Sequence, residues 1–243
     1  NGEVMRIAMW SGPRNLSTAL MYAFGNRADT TISDEPYYGA YLHHSGAKHP
    51  MNEIIIESQS KDPDLISSAL TGPVPKPFKI WYQKLITHHM LPKFSLDWVG
   101  KQKNVFLIRS PAKVISSYAR KRQNPSLDDL GFLQQKNIFD YCLSLGQEPI
   151  VIDSDDILEN PRASLSALCY ALGINFDEAM LSWVAGPRAE DGVWAAHWYD
   201  SVHKSTGFSK PPSSTPDLGN EFSDILNIAN GLYDQFNTIK IKV

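Results

Sequence analysis

Residues 4–24 read VMRIAMWSGPRNLSTALMYAF, and the fold turns on how this stretch divides. Residues 4–10 mix apolar and β-prone types and read as a buried strand. Ser11, Gly12 and Pro13 end it, because no strand or helix tolerates that break in its interior. Leu16, Ala19, Leu20, Ala23 and Phe24 then recur at i, i+3, i+4, i+7 and i+8, one face of a helix. Strand, tight turn and helix bring the turn's N–H groups and the helix's first free N–H groups to one point. The helix dipole adds positive charge there. Arg14 contributes a full charge on a planar fork of donors, and Ser17 and Thr18 contribute hydroxyls. This reads as an anion site. The same letters also suit an ordinary strand–turn–helix in which a Ser or Asn caps the helix.

The generic phosphate loop is G-x-x-x-x-G-K-[ST]. Here Gly12 to Thr18 read GPRNLST, with no Gly-Lys pair before the hydroxyls. A multiply charged phosphate chelated with magnesium normally meets that lysine, so another anion is expected. A second stretch, 104–122, reads NVFLIRSPAKVISSYARKR. Residues 105–108 form a strand that ends in Arg109 and Ser110. Pro111 suits a helix's first turn, and Val114, Ile115, Tyr118 and Ala119 give that helix an apolar face. Two strand–turn–helix units thus carry an arginine at the strand exit, where open α/β sheets hold their ligands.

On these residues the chain resembles the sulfotransferases that use 3′-phosphoadenosine 5′-phosphosulfate. Pro13-Arg14-Asn15-Leu16-Ser17-Thr18 looks like the family's loop around the 5′-phosphosulfate, with Asn15-Leu16 in place of its Ser-Gly. Arg109 and Ser117 keep the spacing of the pair that holds the 3′-phosphate. Residues 149–183 resemble the family's strand, acidic turn, Asn-Pro-Arg, amphipathic helix and closing Trp. The resemblance implies a P-loop nucleoside-triphosphate-hydrolase-like sulfotransferase architecture. It makes 3′-phosphoadenosine 5′-phosphosulfate the co-substrate, with Gly12 to Thr18, Arg109 and Ser117 contacting it. No metal is expected, since a sulfonate carries less charge than a terminal phosphate. In the family a late segment closes over the nucleotide, and Trp194, Trp198 and Lys204 to Gly207 are the candidates here, Lys204 as a cofactor contact.

The chain of 243 residues reads as one domain, with a loop-rich segment at about 186–215. That segment either closes on the site or packs its aromatics on the core. A net charge of −3 gives no basis for general nucleic-acid binding. Cys142 and Cys169 sit on apolar helix faces and read as buried thiols in a reducing compartment. No apolar run is long enough to span a membrane. A cytoplasmic protein without membrane or nucleic-acid partners is expected, its oligomeric state open. Further strands are read at 30–32, 78–83 and 150–152. Helices are read at 51–70 (in two pieces around Asp62-Pro63), 126–146, 163–172 and 221–236. About five strands alternating with helices predict a largely parallel α/β sheet covered on both faces.

An acceptor hydroxyl needs a base. Glu35, at the exit of the second strand and before a proline, like the acidic residue in some sulfotransferases of the sugar type, is the first choice; the alternative is a helix-capping or turn acid. His88 is the second; the alternative is that it belongs to a solvated His pair on a helix. Lys84, at the end of the strand 78–83, matches the lysine that soluble sulfotransferases carry there, and the resemblance implies a contact to the bridging oxygen; the alternative is a plain surface lysine. The expected activity is sulfuryl transfer to a hydroxyl or amine of a small-molecule acceptor. Two other readings stay open: a phosphoryl-transferring kinase or hydrolase, with the acid ending residues 150–153 as a magnesium ligand, and a non-catalytic nucleotide binder.

Overall fold

The computed structural model describes residues 3–121, 124–211 and 214–243. Arg122, which ends the second stretch, and residues 212–213 of the polar segment lie outside them. Strands β1 (Met5–Ser11), β2 (Thr30–Asp34), β3 (Ile80–Ile86), β4 (Lys103–Ile108) and β5 (Ile150–Asp153) form one parallel sheet in the order β2-β3-β1-β4-β5. Helix α1 (Ser17–Gly25) leads from β1 to β2, and α2 (Tyr38–Ser45), α3 (Asn52–Ser58) and α4 (Pro63–Leu70) precede β3. Between β4 and β5 lie α5 (Pro111–Ala119), α6 (Leu127–Leu130) and α7 (Phe132–Ser144). After β5 come α8 (Ser154–Glu159), α9 (Pro161–Leu172), α10 (Ala195–Trp198), α11 (Asp200–His203) and α12 (Ser223–Ile239).

Successive residues of β1 enter opposite cores, as a strand buried on both faces requires. Ile7 and Met9 join Leu20, Phe24, Leu165 and Leu168, while Ala8 and Trp10 join Phe106, Phe139 and Phe236. The break expected around Asp62-Pro63 is present. The Asp62 side chain accepts from the N–H groups of Asp64 and Leu65, and Pro63 opens α4. Cys142 and Cys169 are free and buried, and burial pushes both thiols up to about 11.

Three expectations are corrected. The strand expected at 78–83 runs to Ile86, so Lys84 lies inside β3 rather than beyond it. Pairing with β1 (Ser11 opposite Ile86) and with β2 (Asp34 opposite Lys84) carries the strand through the polar Gln83-Lys84 to Leu85 and Ile86. The helix expected at 126–146 is two helices, α6 and α7. Gly131 separates them at φ 71°, and a Cβ there would come within 2.6 Å of Thr87 Oγ1. The chain breaks the helix so that Gly131 can seat against the turn after β3. Restarting turns the apolar stripe, leaving Leu133 and Leu145 exposed. The polar segment is not a plain loop. It contains α10 and α11, and Ser182 bridges to Gly207. Among the described residues no helix is long and apolar enough to cross a membrane.

Chain order sets the place of the site. From β1 the chain runs to the β2–β3 side, and later to the β4–β5 side. The crevice outside the carboxyl ends of β1 and β4 is therefore the switch point at which open sheets bind ligands.

Candidate active site

A cavity of about 370 Å³ opens there, lined by Pro13, Arg14, Asn15, Leu16, Ser17 and Thr18 from the first turn and by Arg109 and Ser117 from the second. The turn is held from both sides. Asn15 donates to the Leu107 carbonyl at 3.4 Å and accepts from Ser154 Oγ. The residue that stands where the family has serine thus pins the loop to the exits of β4 and β5. Gly12 is not part of the cavity wall. It lies against the Leu130 carbonyl, 2.6 Å from where a Cβ would be.

The two arginine units are laced together. Arg14 Nε donates to Ser117 Oγ at 3.1 Å, and Arg109 Nη1 donates to the Arg14 carbonyl. Among the described residues neither guanidinium pairs with a carboxylate within salt-bridge distance. Burial lowers the pKa of both, with Arg120 adding to the fall at Arg14 and Arg14 and Arg120 adding to it at Arg109, against Asp155. No side chain caps α1, so its first N–H groups are left to a ligand. Arg14 sits at φ 55°, a strained value for a residue with a Cβ. Such outliers persist where the surroundings over-determine them.

The other end of the cavity holds a buried cluster of opposite charges. Lys84 Nζ lies 2.9 Å from Thr18 Oγ1, 3.1 Å from Glu35 Oε2, 2.7 Å from Tyr199 Oη and 3.5 Å from Asp34 Oδ1. Burial opposes the Lys84 charge, but Glu35 and Asp34 outweigh it and hold its pKa above the ordinary value. Glu35 is the second strained residue here, at φ 42°. Its amide donates to the Lys84 carbonyl at 3.0 Å, continuing the β2–β3 ladder one residue past the strand. Its Oε2 is engaged, while Oε1 has no hydrogen-bond partner among the described residues.

His88 and His89 stand on the cavity wall in the turn Thr87–His89, both buried, which removes the solvated-pair alternative. Tyr41, His49 and Tyr38 surround them, with Tyr38 stacked on His89 at 4.6 Å. Burial first, and then His88, His49 and Lys84, drive the His89 pKa well down, so its ring is neutral.

The structure does not bring Lys204 to the cavity. It is exposed and pairs with Asp200 one helical turn earlier at 2.8 Å. Ser205, Gly207, Phe208, Ser209 and Lys210 line the wall in its place, together with Trp198. Trp194, the other late candidate, is buried and donates to Tyr199 Oη at 3.0 Å. Asp153, the acid that ends β5, is committed elsewhere. It caps Asp155 N–H at 2.7 Å and accepts from Tyr233 Oη at 2.5 Å.

Sequence reasoning missed Asp34 and Tyr199. A doubled acid at a strand exit was a visible signal for Asp34. Tyr199 carried none.

Residues 5–240 match a family model described as a sulfotransferase domain. Two curated proteins of Arabidopsis thaliana are similar: branched-chain-amino-acid aminotransferase-like protein 1, 35% identical over 229 residues, and its protein 2 counterpart, 36% identical over 206. The matches cover 94% and 84% of this chain but 41% and 36% of those proteins, so the chain spans about two fifths of their length. Among solved structures, a sulfotransferase from Alicyclobacillus acidocaldarius superposes with TM-score 0.58 at 10% identity, over 99% of this chain and 98% of that one. The sulfotransferase domain of the Synechococcus PCC 7002 olefin synthase does so with TM-score 0.51 at 17% identity, over 95% of each. At these identities the likeness is one of fold.

Proposed function

The chain belongs to the sulfotransferase domain family, and from that premise we propose that it moves a sulfuryl group from 3′-phosphoadenosine 5′-phosphosulfate to a hydroxyl, or an amine, of a small-molecule acceptor. Residues 1–243 act in this reading as one catalytic domain. Its two buried thiols suit a reducing, cytoplasmic setting. One observation carries the proposal: Arg14 and Arg109, half-buried and without a carboxylate partner among the described residues, share one cavity with an uncapped helix start. Buried positive charge is costly unless paired, and an anion with two separated phosphate groups supplies the pairing.

The donor supplies an activated sulfonate on a phosphate leaving group. The protein's work is alignment and charge stabilisation. Arg14 and the first N–H groups of α1 meet the charge that builds on the leaving oxygen, while Arg109 and Ser117 hold the 3′-phosphate. Lys84, adjacent to Thr18, brings a cation to the reacting end. Glu35 accepts the acceptor's proton at Oε1 as the new S–O bond forms and the bond to the leaving phosphate breaks. A base so placed contributes roughly 10²–10⁴-fold. His88 borders the same space and is the alternative base.

The test compares binding of 3′-phosphoadenosine 5′-phosphate and of its 3′-hydroxyl analogue to the wild type and to Arg109→Ala. The variant should lose about 10–100-fold for the phosphorylated ligand and under about 3-fold for the analogue, the range of one charge-assisted contact. Equal losses, or a wild type that binds ATP–magnesium and not the 3′-phosphorylated nucleotide, would overturn the reading.

A further inference from the structure

Tyr199 Oη has more neighbours than a phenol can serve. Lys84 Nζ at 2.7 Å and Trp194 Nε1 at 3.0 Å both donate to it. Asp34 Oδ1 and Oδ2, at 2.8 and 2.9 Å, and Glu35 Oε2, at 2.9 Å, are all placed to accept from it. A hydroxyl has one proton and two acceptor sites. Lys84 and Trp194 fill the two sites, so Asp34 and Glu35 compete for the single proton. Asp34 faces the phenol with two oxygens, of which Oδ2 also accepts from Gly192 N–H and Oδ1 lies 3.5 Å from Lys84, whereas Glu35 faces it with Oε2 alone, which already accepts from Lys84 at 3.1 Å. Burial and the two carboxylates keep the phenol protonated, so the competition is never relieved by ionisation.

Asp34 also holds the strap that crosses the site. The Gly192 N–H donates to Asp34 Oδ2 at 3.0 Å. The Trp194 ring folds back over Gly192, where a Cβ would lie 2.0 Å from it. Tyr199 follows at the end of α10. One carboxylate at the exit of β2 thus fixes two points of the strap, and the strap continues into the cavity wall at Ser205 to Lys210.

Resting on the transferase reading, we propose that Asp34 is a positioning residue: it accepts the Tyr199 hydrogen bond, so that Glu35 stays free to accept the acceptor's proton, and it anchors the strap from Gly192 to Tyr199 over the reacting end. The groups facing Asp34 are Lys84 from β3, Glu35 beside it, Tyr199 and the Gly192 N–H from the strap, and Tyr22 on α1, whose phenol is raised in part by the Asp34 charge. With Asp34 neutralised, the Tyr199 proton turns to Glu35 and the like charge beside Glu35 is gone. Glu35 Oε2 then takes the phenol's hydrogen bond as well as that of Lys84, and the carboxylate is no longer kept free for the acceptor.

The experiment is a double-mutant cycle of Asp34→Asn and Tyr199→Phe with two readouts. In kinetics, Asp34→Asn should lower kcat about 10–100-fold and leave the donor KM within about 3-fold. The double variant should be no slower than the slower single variant, because the residues act through one another. In hydrogen exchange, which needs no donor, amides 192–199 of Asp34→Asn should exchange at least about 10-fold faster, while those of β1 and β4 are unchanged. Additive kinetic losses, a donor KM that rises as kcat falls, or unchanged exchange at 192–199 would each overturn the proposal. A wild type that transfers nothing would sink the transferase reading instead, and the exchange comparison would then decide the role of Asp34 by itself.

Discussion

At the β1–β4 end of the cavity, each group comes from a strand exit and the helix that follows it: Arg14, Ser17 and Thr18 from one unit, Arg109 and Ser117 from the other. At the β2–β3 end, the groups come from four separate places, with Thr18 on α1, Asp34 ending β2 and Glu35 just after it, Lys84 within β3, and Tyr199 on the strap. The first end holds positive charge without carboxylate partners among the described residues. The second holds charge that is almost fully matched within the protein. One end is built to be completed by a ligand, and the other is complete without one. Removing a cation should therefore be felt as lost binding at the first end and as lost stability at the second.

The largest effect is expected from Lys84→Ala. The side chains of Lys84, Asp34 and Glu35 are 3%, 1% and 9% exposed, so deleting the ammonium leaves two buried carboxylates side by side. Breaking a buried ion pair in this way costs about 3–5 kcal/mol, to be read from urea unfolding at an unchanged m-value. A loss under about 1 kcal/mol would show that the cluster does not carry the stability assigned to it. Arg14→Ala should behave in the opposite manner. Affinity for 3′-phosphoadenosine 5′-phosphate, measured by calorimetry, should fall about 10–100-fold, the worth of a charge-assisted contact. Stability should change by less than about 1 kcal/mol, since the deletion removes a charge that sits close to Arg109 and Arg120. Should Arg14→Ala unfold the protein as readily as Lys84→Ala, the division between the two ends disappears.

The same division decided what could be read from the sequence. The arginine turns are local, and their signals lie within one strand, one turn and one helix. The parallel sheet, covered on both faces, followed from the alternation of such units. The second end depends on register. Asp34 meets Lys84 because β2 and β3 pair with those residues opposite, and β3 continues through the polar pair Gln83-Lys84 to Leu85 and Ile86. Periodicity along one segment carries no information about that pairing. Tyr199 is further out of reach, because it lies in a polar segment whose composition reads as loop. Two departures had local signals. Gly131, in the middle of a helical stripe, marked the break between α6 and α7. Lys204, four residues after Asp200, had the spacing of a surface ion pair.

The smallest effect expected is in the pH dependence of stability, and it tests how completely the second end matches its charges. Burial raises the Asp34 carboxyl to about 6 from its ordinary 3.8; Lys84 opposes the rise and Glu35 adds to it. Between those two values the folded protein binds more protons at this group than the unfolded chain does, so stability falls as pH rises. The contribution is fully present below about pH 4 and is lost as pH passes through about 6. Asp29 acts with the opposite sign. Its hydrogen bonds from Arg27 hold it below 3.8, so it stabilises at neutral pH and its contribution is lost in acid. A raw stability curve mixes the two. Subtracting the curve of Asp34→Asn isolates the first, because Asp29 and the rest are common to both proteins. The difference, wild type minus variant, should decline from pH 4 to pH 6 and level off above about pH 7. A difference that climbs across that window would mean that Lys84 outweighs burial at Asp34, and that the second carboxylate is held as firmly in its charged form as an ordinary ion-pair partner.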